Sequence, residues 1–127
     1  MTLFDTDVLI WAIRGYAKAA DEIDASPSRA VSAVTYMELL RGAKDAADFR
    51  KIKKTLSDYG FRILPVTESI SARAVAIMEQ YALSVRLDPD DALIFATALD
   101  YDIMLCSGNE KQFRPVRGLR SRVFRPA

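Results

Sequence analysis

At 127 residues the chain has room for one domain, spanning 1–127, and half of its residues are hydrophobic, enough for a core that needs no disulfide or structural metal. It contains no histidine and a single cysteine, which excludes histidine acid–base chemistry and any intramolecular disulfide. The net charge is +1, no apolar run approaches a membrane span, and Met1–Asp5 opens without a basic or long apolar stretch, so a soluble, cytoplasmic protein is expected.

Short apolar runs alternate with longer amphipathic stretches, the pattern of an α/β fold with a parallel sheet. Leu3–Asp5 reads as the first strand, with Asp7 as cap of a helix through Val8–Ile13 that Gly15 ends. A second helical stretch near Lys18–Ile23 precedes a loop at Ala25–Ser28 and a short strand at Ala30-Val31-Ser32. Thr35 starts or flanks a helix that carries Glu38 and stops near Gly42. Asp45–Tyr59 is a long amphipathic helix, with Phe49, Ile52, Leu56 and Tyr59 at spacings of three and four. Phe61–Val66 is a strand broken by Pro65, and Thr67 caps the helix running to Leu83. Asp90–Leu99 is apolar nearly all round, so it belongs at the centre of the fold, with Asp88 and Asp90 in turn and N-cap roles. Ile103–Cys106 is a strand that buries its cysteine, and Arg122-Val123-Phe124 is a last edge strand.

Four oxygen-bearing side chains stand beside these apolar runs: Asp5, Glu38, Asp91 and Asn109. Carboxylates held at strand ends and on buried helices are costly unless neutralised, and a divalent cation is the usual partner. Asp7 and Ser107 are placed to support such a site, and Glu110 is a further acid beside Asn109. Arg41, three positions after Glu38 on one helix, pairs with it or contacts a phosphate. Trp11 and Tyr16 are read as core or dimer-surface residues rather than base-stacking platforms. From Glu110 onward, six basic residues (Lys111, Arg114, Arg117, Arg120, Arg122, Arg125) face that one acid, giving the segment a charge of about +5. Beside an acidic cluster, such a tail suits a polyanion; a solvated terminus, or arginines that pair with a partner's acids, is the plainer reading.

Four motifs in this order carry a family resemblance over nearly the whole length. They are Leu3-Phe4-Asp5-Thr6-Asp7, Ser32 through Glu38-Leu39-Leu40-Arg41-Gly42, Asp91-Ala92-Leu93-Ile94-Phe95-Ala96-Thr97-Ala98, and Leu105-Cys106-Ser107-Gly108-Asn109-Glu110-Lys111-Gln112-Phe113. The chain resembles the PIN-domain ribonucleases, in particular the VapC-like toxins of toxin–antitoxin systems. The resemblance implies a three-layer α/β/α fold around a mostly parallel sheet of four to five strands. It also implies that Asp5, Glu38, Asp91 and Asn109 converge at the C-terminal strand ends to bind Mg²⁺ or Mn²⁺ and cut RNA. A cognate antitoxin and a homodimer are implied partners. Asn109 in place of a fourth acid leaves the ligand count open.

Two other classes compete. Asp5-Thr6-Asp7 superficially matches the nucleophile loop of aspartyl phosphatases, but Val8-Leu9 follows it where those enzymes have Gly-Thr or Gly-Val, and no length remains for a cap domain. A non-catalytic PIN-like module that binds RNA or protein is the other alternative, against which the three retained acids argue.

Overall fold

The computed structural model describes residues 1–126. Five short strands form one sheet: β1 (Thr2–Phe4), β2 (Arg29–Ser32), β3 (Arg62–Leu64), β4 (Met104–Ser107) and β5 (Ser121–Val123). Their order across the sheet is β3-β2-β1-β4-β5, and every neighbouring pair is parallel. Parallel strands require crossovers, supplied here by α1 (Thr6–Ile13), α2 (Ala17–Asp24), α3 (Ala33–Arg41), α4 (Ala46–Asp58), α5 (Glu68–Val85), α6 (Pro89–Tyr101) and the one-turn α7 (Glu110–Phe113).

Because successive strand side chains point to opposite faces, the sheet divides the core in two. Leu3, Ala30 and Leu105 face α5 and α6, packing on Ile70, Ala74, Ile77, Ile94 and Phe95. Phe4, Val31 and Cys106 face the other way, onto Val8, Leu9, Ile23, Ile52 and Leu56 of α1, α2 and α4. Burial on both faces of β1, β2 and β4 explains why these three strands read as short apolar runs, whereas the outer β3 and β5 stay partly exposed. The three-layer expectation is met, with all five strands parallel. No helix among the described residues is long and apolar enough to cross a membrane.

Helix starts differ from the sequence reading in three places. Asp5, not Asp7, is the N-cap of α1, and its carboxylate accepts from the Thr6 N–H at 2.7 Å. Ser32 caps α3 by accepting from Val34 N, so Thr35 lies within the first turn. Asp88 holds the N-cap position of α6 without a side-chain bond, and Pro89 follows where its missing N–H costs nothing, leaving Asp90 inside the helix. The short α7 has no counterpart in the sequence reading. One turn of Glu110-Lys111-Gln112-Phe113 is too brief to show a helical period.

The strand order reverses direction at β1, with β2 and β3 laid down on one side and β4 and β5 on the other. In open parallel sheets this switch point opens a crevice beyond the carboxyl ends of the strands. Asp5 directly follows β1, and Ser107 ends the adjacent β4.

Candidate functional site

The crevice is a cleft of about 380 Å³ lined by Asp5, Thr6, Asp7, Ile10, Glu38, Asp91, Gly108 and Asn109. All four residues singled out in the sequence therefore line one hollow, delivered from the end of β1, the middle of α3, the first turn of α6 and the loop after β4. Asp88, Asp90 and Glu110 do not line it.

Asp5 is the most constrained of the set, at 5% exposed. Its Oδ1 accepts from the Thr6 N–H, and its Oδ2 accepts from the Ser107 hydroxyl at 2.7 Å. Ser107 Oγ in turn accepts from the Asn109 N–H at 3.0 Å, which sets the path of the loop. The carboxamide of Asn109 makes no capping bond to α7 and is free to face the cleft. Glu38 is steadied by the Thr6 hydroxyl, 2.7 Å from its Oε1, and Thr6 Oγ1 also touches the buried Thr35 hydroxyl at 3.1 Å. Arg41 makes no ion pair with Glu38 among the described residues, although its charge opposes the rise in the Glu38 pKa that burial causes.

Asp7 has a supporting role of its own. Its Oδ2 accepts from the Gly108 N–H at 2.8 Å and its Oδ1 from Val8 N, tying the β4 loop to the start of α1. That closeness requires a glycine: a Cβ at position 108 would lie 2.7 Å from Asp7 Oδ2 and 3.1 Å from the Phe124 carbonyl oxygen. Gly108→Ala is expected to destabilise the fold by about 1–3 kcal/mol, because a carboxylate held by two N–H groups and a backbone carbonyl must give way. A denaturant melt checks this, and an unchanged midpoint would mean that the loop relaxes freely.

Burial raises the pKa of each acid, and neighbouring acids add to the rise at Asp5, Glu38 and Asp91. Burial, then repulsion from Asp7, pushes Asp5 up to about 7 despite its hydrogen bonds from Ser107 and Thr6. Burial and the neighbouring Asp88 push Asp91 up to about 6. Asp7 and Glu38 are also raised, burial being the main cause in both. A bound cation would offset both the burial and the mutual repulsion of these carboxylates. The donors are hard oxygens throughout, which fits Mg²⁺ or Mn²⁺ and not a softer metal. Among the described residues no three acids are drawn tightly enough around one point to hold an ion as they stand.

Cys106 is no rival nucleophile: it is fully buried, and burial pushes its thiol up to about 11. No lysine lines the cleft, so the aspartyl-phosphatase reading lacks its second group. Nor is the basic tail one surface. Arg120 pairs with Asp102, Arg122 with Glu22, and Arg114 and Arg125 both with Glu110. Trp11 packs edge-on against Tyr16, 4.3 Å between centroids, and neither lines the cleft.

A family model described as PIN domain matches residues 2–119. The chain belongs to the PIN domain family. Over 117 residues it is 36% identical to Ribonuclease VapC10 of Mycobacterium tuberculosis, covering 89% of this chain and 86% of that one. Among solved structures it is similar to a toxin–antitoxin complex from Klebsiella pneumoniae, with a TM-score of 0.81, 32% identity, and 100% and 98% of the two chains covered. It shares its fold with VapBC2 from Rickettsia felis bound to a promoter DNA fragment, at a TM-score of 0.81 and 19% identity over 98% of each chain. This PIN domain is VapC-like.

Within this PIN domain, Thr6 and Thr35, the hydroxyls behind Glu38, are not among the site residues expected from the sequence. One signal was available: Thr35 precedes Glu38 by three positions and so shares its helix face.

Proposed function

We propose that this PIN domain is a divalent-metal-dependent endoribonuclease, the toxin of a toxin–antitoxin pair. The observation that carries the reading is the cleft itself, where Asp5, Glu38, Asp91 and Asn109 meet at the switch point of a PIN fold. The relative named Ribonuclease VapC10 and the structural neighbour described as a toxin–antitoxin complex support it.

Asp5, Glu38, Asp91 and Asn109 are the residues that would hold Mg²⁺ or Mn²⁺. When bound, such an ion supplies a water of lowered pKa and offsets charge developing on the phosphate. The chain's own part is to set the geometry. The Ser107 hydroxyl and the Thr6 N–H fix both oxygens of Asp5, so one rotamer points into the cleft. The Thr6 hydroxyl steers Glu38, and the Asp7–Gly108 bond holds Asn109 over the same hollow. With no histidine in the chain, no imidazole moves the proton.

The partner is a cognate antitoxin. A groove of about 630 Å³ between α1, α3 and α4 shares Ile10 and Glu38 with the cleft and adds Ile13, Leu39 and Ile52 as an apolar bed. A peptide segment seated there would reach the acids, where an inserted arginine would be held electrostatically. The toxin acts in the cytoplasm, as a homodimer.

Purified, antitoxin-free protein incubated with total cellular RNA is expected to yield discrete fragments with Mg²⁺ or Mn²⁺ and none with EDTA. Fragments that persist in EDTA would overturn metal dependence. Intact RNA in every lane would favour the non-catalytic module.

A further inference from the structure

A second hollow adjoins the cleft along the chain without sharing a lining residue with it. It has a volume of about 780 Å³, lies between the C-terminal end of α5 and α7, and is bordered by Arg86, Lys111 and Arg114. Two short stretches of chain join it to the acids. Glu110 on its edge directly follows Asn109 of the cleft, and Arg86 stands two residues before Asp88, the N-cap of the helix that carries Asp91.

Its charge is one-sided. Among the described residues the only acid on its border is Glu110, and that carboxylate is already gripped from both oxygens, by Arg125 at 2.6 Å and by Arg114. Arg86 and Lys111 take part in no ion pair among the described residues. The groove toward α4 differs in its balance, since three acids (Glu38, Asp45 and Asp48) line it beside the three cations Arg14, Lys44 and Lys51. Arg86 is also poorly explained by local structure. It ends α5 in the left-handed conformation, at φ 51°, a position that glycine or asparagine fills with less strain.

We propose that the α5–α7 groove binds the phosphodiester backbone of the RNA strand beside the bond to be cut, with Arg86 and Lys111 as its phosphate contacts. This rests on the ribonuclease reading above. The logic is electrostatic: a polyanion approaching an acidic cleft is repelled there, so binding needs compensating cations, and these two stand a few residues along the chain from Asn109 and Asp91, in no ion pair among the described residues and in a hollow whose charge is one-sided. Phosphate contacts carry no sequence information, so the groove positions the strand and leaves the choice of RNA to other contacts. Arg86 and Lys111 are positioning residues.

The test compares wild type with the double variant Arg86→Gln/Lys111→Gln, and with a charge-matched control, Arg50→Gln/Lys53→Gln, on the exposed side of α4. RNA cleavage kinetics are read over a range of salt. Binding of a labelled single-stranded oligoribonucleotide is read by anisotropy on an Asp5→Asn background. The double variant is expected to raise KM about tenfold with kcat nearly unchanged, and to flatten the slope of log affinity against log salt by about 0.7 per lost contact. The control should keep both, and all melting temperatures should agree. If wild type cuts RNA but the double variant keeps its KM and salt slope, the groove assignment fails alone. If wild type neither cuts nor binds RNA, the ribonuclease reading fails and takes the groove with it. Unchanged RNA binding together with lost binding of polyglutamate would give the groove to an acidic protein segment and overturn the proposal.

Discussion

Asp5→Asn is expected to lower RNA cleavage by on the order of 10³-fold or more while making the metal-free protein more stable at neutral pH. The two effects share one cause. Asp5 is 5% exposed, and its ionisation is opposed by burial and by the charges of Asp7 and Asp91. Asparagine keeps the shape and can still accept from Thr6 N, while the Ser107 hydroxyl can rotate to accept from the new amide. The substitution thus removes a repelled charge from the fold and an anionic ligand from the site. Cleavage assays and thermal melts on the same preparation check both. Substantial activity in the variant would remove Asp5 from the metal site. An inactive protein with a lowered melting temperature would show Asp5 to be structural first.

The second large effect is on stability against pH. Asp5 and Asp91 titrate near 7 and 6 in the folded chain, well above the ordinary 3.8 of an unfolded aspartate. Between about pH 4 and 7 the folded state therefore binds more protons than the unfolded state, and unfolding free energy falls as pH rises. The stability is fully present below the unfolded pKa and lost as pH climbs through the folded values; Asp7 and Glu38 shift the same way. The loss amounts to a few kcal/mol, a drop in melting temperature on the order of 10 °C between pH 5 and 8 in EDTA. Millimolar Mg²⁺ at pH 8 should restore much of it, since an ion bound only by the native state stabilises that state by mass action. A flat profile in EDTA would contradict the crowding of the acids.

Two further features were legible in the residues for separate reasons. The central helix announced itself because Ala92, Leu93, Ile94, Phe95, Ala96 and Ala98 leave it no polar face beyond its ends. Asp5, Glu38 and Asp91 stood out because each breaks or opens an apolar run where an unpaired acid is costly. The helix caps were misread where two candidates stood close together. Asp5 and Asp7 are equally good N-cap residues, and only the backbone angles after β1 choose Asp5. The tail left two readings open, a surface for a polyanion or a solvated or partner-paired terminus. Arg120, Arg122 and Arg125 each find a different acid within the fold once β5 is laid against β4.

By itself the sequence determined the class of fold, the absence of histidine and disulfide chemistry, and the oxygen donors available, because these depend on composition and on periodicity within one element. The tertiary structure decided how those donors are held and charged. Ser107 reaches Asp5 across 102 positions and Gly108 reaches Asp7 across 101, contacts that exist only because β1 and β4 lie side by side. The raised pKa values have the same origin, since burial and the proximity of like charges are properties of the assembled cleft and not of any segment that builds it.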